Sequence, residues 1–123
     1  MTKVNLKEIV ESLIDTFLGA GEVALDLRKK GLTKIIKSDN TPVSNGDLEV
    51  NKIITNKIRD LTPDISIVSE ETSENKKNEE LSDFWLIDPI DGTYDYINDL
   101  DEFTINAGLI LDKKPAAGLI YVP

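Results

Sequence analysis

The segment Asp88-Pro89-Ile90-Asp91-Gly92-Thr93 carries two carboxylates three residues apart, with backbone carbonyls between them and a glycine–threonine pair beyond. Hard oxygen donors at this spacing suit a divalent cation. Backbone N–H groups at the glycine–threonine turn suit an anion, so the set fits a cation that holds a phosphate. The apolar run Phe84-Trp85-Leu86-Ile87 comes just before and reads as a buried strand, with Asp88 where it surfaces. Pro89 is expected to stop the strand ladder, and Asp91-Gly92-Thr93 to turn the chain sharply.

More acids lie upstream. Glu70 and Glu71 follow the β-branched run Ile65 to Ser69, and Asp47 follows Ser44 by three residues. If the strands ending at Glu70 and Asp88 are parallel neighbours, then Glu70, Asp88, the Ile90 carbonyl and Asp91 surround one small volume. Acids gathered this way repel each other unless cations occupy the gap. Two Mg²⁺ ions about 3.5–4 Å apart would relieve that repulsion and clamp a phosphoryl group.

Each residue also has a plainer reading. Glu70 and Glu71 solvate a strand end, and Asp88 and Asp91 cap turn backbone beside proline and glycine. Asp47 is the second half of a capping box begun by Ser44. Thr93 is the N-cap of a short helical turn through Tyr94 and Asp95, which would itself present N–H groups to an anion. The acids do not match the alternate spacing of a calcium loop, which is set aside.

Composition narrows the chemistry. The 123 residues suffice for one domain, and 40% apolar content argues for a globular one. The net charge of −9, from 23 acidic and 14 basic residues, leaves no basic stripe for nucleic acid. Cysteine and histidine are both absent, which removes disulfides, thiol and Ser-His-Asp chemistry and nearly every zinc site. Carboxylates, hydroxyls and lysines remain, a set that favours Mg²⁺. With no signal-like start and no apolar run of spanning length, a cytoplasmic protein that does not cross a membrane is expected.

Two helices are expected to position these groups. The first starts at Asn5, with Glu8 in capping-box position, and Leu6, Ile9, Val10, Leu13, Ile14, Phe17 and Leu18 recur at helical spacing. It ends at Lys29-Lys30 before Gly31, and Gly19 and Gly21 leave room for a kink. The second runs from about Ser44 to Leu61, with Leu48, Ile53, Ile54, Ile58 and Leu61 as its apolar positions and Thr62-Pro63 as its stop. Lys34 to Lys37, Ile65 to Ser69, Phe84 to Ile87, Phe103 to Leu111 and Ala116 to Val122 read as strands. Ser38 to Pro42 and Asp112 to Pro115 read as turns, and 72–82 as a polar surface loop. The result is an α+β domain, two long helices on a mixed, largely antiparallel sheet.

Trp85-Leu86-Ile87-Asp88-Pro89-Ile90-Asp91-Gly92-Thr93 resembles the first signature of the inositol monophosphatase superfamily of Mg²⁺-dependent, lithium-sensitive phosphatases, and Ser69-Glu70-Glu71 its upstream glutamate. Lys37 to Val43, Glu102 to Asn106 and Gly118 to Pro123 are similar to the 3'(2'),5'-bisphosphate nucleotidase branch. The resemblance implies Glu70, Asp88 and Asp91 as carboxylate ligands of two or more Mg²⁺ ions, with the Ile90 backbone oxygen beside them. It implies that Asp47 and Thr93 hold and polarise an attacking water, and that the Gly92 and Thr93 N–H groups grip the phosphate. The substrate it implies is 3'-phosphoadenosine 5'-phosphate or its sulfated relative. An inositol phosphate, or a non-catalytic Mg²⁺-binding role, is the alternative.

The sequence departs from the branch at Ser44-Asn45-Gly46, where threonine, a variable residue and alanine are usual, and at Asp101, which replaces a common glycine. Family members continue into a second α/β domain carrying a further metal-binding aspartate. The expectation is therefore that residues 1–123 are the N-terminal metal-binding half, with little or no activity alone and a sheet edge open to self-association.

Overall fold

The computed structural model describes residues 5–69 and 82–123. Its first element, α1 (Leu6–Lys30), begins at Asn5, whose side-chain oxygen accepts from the Glu8 N–H at 3.2 Å, and ends at Gly31 with φ 99°. The buried stripe Ile9, Leu13, Phe17, Ala20 and Ala24 follows the helical repeat. The helix is not interrupted at Gly21. A methyl group there would sit 2.5 Å from the Tyr121 ring, so this glycine permits a close approach to the sheet.

Strands β1 (Lys34–Ile36) and β2 (Pro42–Ser44) form a small antiparallel pair that leads into α2 (Asn45–Leu61). β2 was not expected. Its three residues leave no periodicity to read, and Lys34↔Ser44 pairing is what makes them a strand. In α2 the buried positions include Val50, Ile54 and Ile58, whereas Leu48, expected on the apolar stripe, is exposed.

β3 (Ser66–Ser69), β4 (Phe84–Asp91), β5 (Thr104–Leu111) and β6 (Lys114–Tyr121) form one sheet in that order. β3 runs parallel to β4, and the other neighbours are antiparallel, as the mixed α+β reading requires. α1 and α2 pack on each other and on one face of the sheet, α2 over β4 and α1 over β6. Ile67, Trp85, Ile87, Ile105 and Leu109 supply the sheet's side of the core. Trp85 is fully buried, and its indole N–H donates to Thr62 Oγ1 at 3.0 Å. The β5–β6 turn is tighter than expected, since Asp112 and Lys113 (φ 53° and 62°) connect the strands alone. Pro115 therefore lies inside β6, where an outer strand tolerates it. A short helix, α3 (Thr93–Ile97), connects β4 to β5. Residues 72–81 of the expected polar loop lie outside the described residues.

Candidate active site

Pro89 does not end β4. The strand continues to Asp91, but its pairing with β5 changes from Asp88↔Asn106 to Asp91↔Thr104. Three steps along β4 thus oppose two along β5, which is a bulge of one residue. In an unbroken strand Asp91 would share a face with Trp85 and Ile87 and point into the core. The extra residue reverses that phase: Pro89 and Ile90 are both buried, and Asp91 emerges exposed, in step with Leu86 and the half-buried Asp88. One inserted residue brings both aspartates to the same side.

Asp47 approaches from α2. It is fully buried at the third position of the helix, where the positive end of the helix dipole favours a carboxylate. Its Oδ2 accepts from the Ser44 N–H at 2.9 Å and the Ser44 hydroxyl at 2.5 Å, while its own N–H donates back to Ser44 Oγ at 3.2 Å. The capping box is therefore present, but it uses only one carboxylate oxygen. Oδ1 accepts from the Thr93 hydroxyl at 2.8 Å, across 46 positions of sequence.

Thr93 is the first residue of α3, not its cap; that position belongs to Gly92. The Thr93 hydroxyl also lies 3.1 Å from the Ile90 carbonyl oxygen, so it joins the start of α2 to the end of β4. With one proton to donate, the shorter contact to a charged oxygen dominates. The threonine's lone pairs then remain available to a water. Gly92 has φ 91°, and a Cβ there would lie 2.7 Å from the Glu102 carbonyl oxygen. Only glycine allows the chain to turn here without strain.

Asp47, Ile90 and Thr93 are thus joined by hydrogen bonds, and Asp88 and Asp91 flank them on β4. Ser69 pairs with Ile87 in parallel register. Glu70, the expected third acidic ligand, lies outside the described residues. Among the described residues, no group of three acidic side chains converges on a metal-sized position.

Asn106 closes the stretch Glu102 to Asn106, whose sequence gives it no role of its own. It sits opposite Asp88 in the ladder, and its side-chain oxygen is buried with no hydrogen-bond partner among the described residues. Ser69, Asp88 and Asn106 line a cleft of about 870 Å³ whose walls include Leu86, Gly118 and Ile120. A buried amide oxygen opposite Asp88, with the Ile90 carbonyl and the Asp91 carboxylate further along β4, is a set of hard oxygen donors that fits Mg²⁺. Tyr96 is a second residue to which the sequence assigns no role. It is the fully buried residue of α3, and burial, reinforced by the nearby Asp47 charge and opposed by Arg28, raises its pKa to about 12.

The family profile for "Inositol monophosphatase family" matches residues 5–123. The chain belongs to the inositol monophosphatase family. Among curated family relatives, the 3'(2'),5'-bisphosphate nucleotidase CysQ of Aggregatibacter actinomycetemcomitans is 36% identical over 117 residues, covering 94% of this chain and 44% of that protein. A staphylococcal inositol monophosphatase-1 in a LiCl-soaked inhibitory complex superposes with TM-score 0.85 at 21% identity, covering 98% and 46% of the two chains. An IMPase/NADP phosphatase complexed with Mg²⁺ and phosphate gives TM-score 0.79 at 21% identity, covering 96% and 45%. At such identities the structural likeness carries the fold alone. The chain spans less than half the length of these family members.

Proposed function

We propose that this chain forms part of a Mg²⁺-dependent phosphomonoesterase acting on 3'-phosphoadenosine 5'-phosphate or a related bisphosphate nucleotide. The observation that carries the reading is the Thr93 hydroxyl, held on the buried Asp47 carboxylate at 2.8 Å beside the Asp88–Asp91 corner. By committing its proton to Asp47, Thr93 leaves its oxygen free to accept one from a water. Asp47 fixes the orientation of that acceptor, and the buried capping box fixes Asp47. Glu70, Asp88, Asp91 and the Ile90 carbonyl are the residues assigned to hold the metal. When bound, Mg²⁺ supplies a lowered water pKa and neutralises charge on the phosphate and its leaving oxygen. Gly92 and Thr93 stand where helix-start N–H groups lack intrahelical partners, and we assign them the phosphate oxygens.

The substrate class follows the CysQ likeness. An inositol phosphate is the competitor, separated by comparing phosphate release from both compounds side by side. Release should need Mg²⁺, fall with Li⁺ and be lost in Asp88→Asn. Equal release with the metal chelated would overturn the reading. A second reading is that the chain binds Mg²⁺ without turnover, since among the described residues no three acidic side chains gather at one position. Calorimetric titration of Mg²⁺ run beside the turnover assay decides between the two. The partners assigned are small phosphorylated molecules, with self-association through an open sheet edge. Among the described residues no helix is long and apolar enough to cross a membrane.

A further inference from the structure

We propose that Tyr96 is the positioning residue for the Asp47–Thr93 pair, seated in space that only a glycine at position 46 provides. α3 has five residues, too few for a helix to hold its own position. Thr93 at its start and Tyr96 one turn later share a face. The Tyr96 hydroxyl donates to the Ala24 carbonyl oxygen of α1 at 2.6 Å. Its ring leans on Phe103 at 4.9 Å between centroids, and the Arg28 guanidinium lies 5.6 Å from the Tyr96 ring centre and 5.1 Å from that of Phe103. Arg28 also donates to the Leu100 carbonyl oxygen at 2.8 Å, tying down the chain that leaves α3.

On its other side Tyr96 bears on the first turn of α2. A Cβ at Gly46 would stand 2.1 Å from the Tyr96 hydroxyl oxygen and 2.7 Å from Cε2 and Cζ. Gly46 immediately precedes Asp47. The tyrosine therefore fixes the backbone behind the carboxylate and, through α3, the hydroxyl that reaches it. Both ends of the 2.8 Å bond are set by one side chain. The glycine that departs from the bisphosphate nucleotidase branch at this position is explained by the same contact.

The catalytic meaning of this placement rests on the proposed phosphatase reading, but its test uses neither substrate nor metal. Amide ¹H–¹⁵N spectra, hydrogen exchange and urea unfolding would be recorded for Tyr96→Phe, Tyr96→Leu, Gly46→Ala and Gly46→Ala/Tyr96→Leu. Ile58→Val, in the buried stripe at the far end of α2, is the control. Tyr96→Phe should move the Thr93 and Ser44 amide resonances and speed exchange at the Tyr96 amide about tenfold, whereas Ile58→Val should leave all three in place. Gly46→Ala should change the unfolding constant about tenfold less in the Tyr96→Leu background than in the wild type. Unmoved Thr93 and Ser44 resonances in Tyr96→Phe, or equal cost of Gly46→Ala in both backgrounds, would overturn the proposal. If Gly46→Ala does not fold alone, a folded double variant counts as the rescue and an unfolded one as refutation. A failed phosphatase assay would leave these outcomes unchanged.

Discussion

Replacing Thr93 by valine keeps the side-chain shape and deletes the one donor that reaches Asp47 Oδ1. The other carboxylate oxygen keeps both of its Ser44 partners, so the helix cap itself survives. What remains is a fully buried carboxylate with one oxygen stripped of its charge-assisted bond. Hydrogen bonds to charged groups are worth about 1.5–3 kcal/mol, and the Ile90 carbonyl loses its 3.1 Å neighbour in the same step. The half-buried valine methyl recovers only a fraction of this. A net loss of about 2 kcal/mol is expected, near a thirtyfold change in the unfolding constant. In urea at pH 7 that lowers the midpoint by roughly 1 M at unchanged slope. Thr93→Ser retains the hydroxyl and should stay within about 0.5 kcal/mol of wild type. A valine variant as stable as wild type, or a serine variant as damaged as the valine one, would refute the argument that the bond stabilises the buried acid.

Three further outcomes follow from the geometry. Tyr96, raised from 10 to about 12, binds its proton more tightly in the folded state, so its contribution is fully present below pH 10 and disappears as pH climbs through 12. Alkaline spectrophotometric titration should show a late-ionising tyrosine that is missing in Tyr96→Phe, with up to roughly 2–3 kcal/mol of pH-dependent stability missing too. Gly92→Ala combines a left-handed φ of 91° with a 2.7 Å contact on the Glu102 carbonyl oxygen, and thermal unfolding should register a loss above about 2 kcal/mol. Asp88→Asn exchanges a charged oxygen donor for a neutral one, and calorimetry should find Mg²⁺ affinity reduced at least about tenfold while the melting temperature holds; undiminished affinity would remove Asp88 from the ligand set.

Features set by local side-chain chemistry are legible in the sequence. Asn5, Ser44, Gly31 and Thr62 mark the helix ends they were expected to mark, because caps and breakers act within a turn. Features whose position is set from a distance are not. Pro89 reads as a stop because a proline cannot donate to the ladder, yet β5 accommodates it by setting two of its steps against three along β4. Leu48 was placed inward by its apolarity, although Val50 keeps the phase with Ile54 and Ile58 that the sheet requires. The Asp47–Thr93 bond was legible only through the family resemblance, since no local pattern links residues 46 positions apart. Asn106 and Tyr96 carried no signal at all: one is a polar residue in an alternating strand, the other an aromatic after a turn.

The site's electrostatics follow from how Asp47 is satisfied. Its partners are two hydroxyls and one backbone N–H, all neutral, with the start of a 17-residue helix behind them. A cation in their place would quench the carboxylate and also neutralise much of its field at the Asp88–Asp91 corner. Neutral donors hold the acid without doing so, at a desolvation cost that the helix dipole only partly offsets. Arg28, stacked on Tyr96 and Phe103, is occupied by Leu100, Asp99 and Asp101. Negative potential therefore accumulates where the β4 bulge turns its two aspartates outward. On a chain with nine excess negative charges, such a corner would repel a phosphate ester by itself. The same arrangement attracts a divalent cation first, and the anion becomes welcome only after the cation is bound.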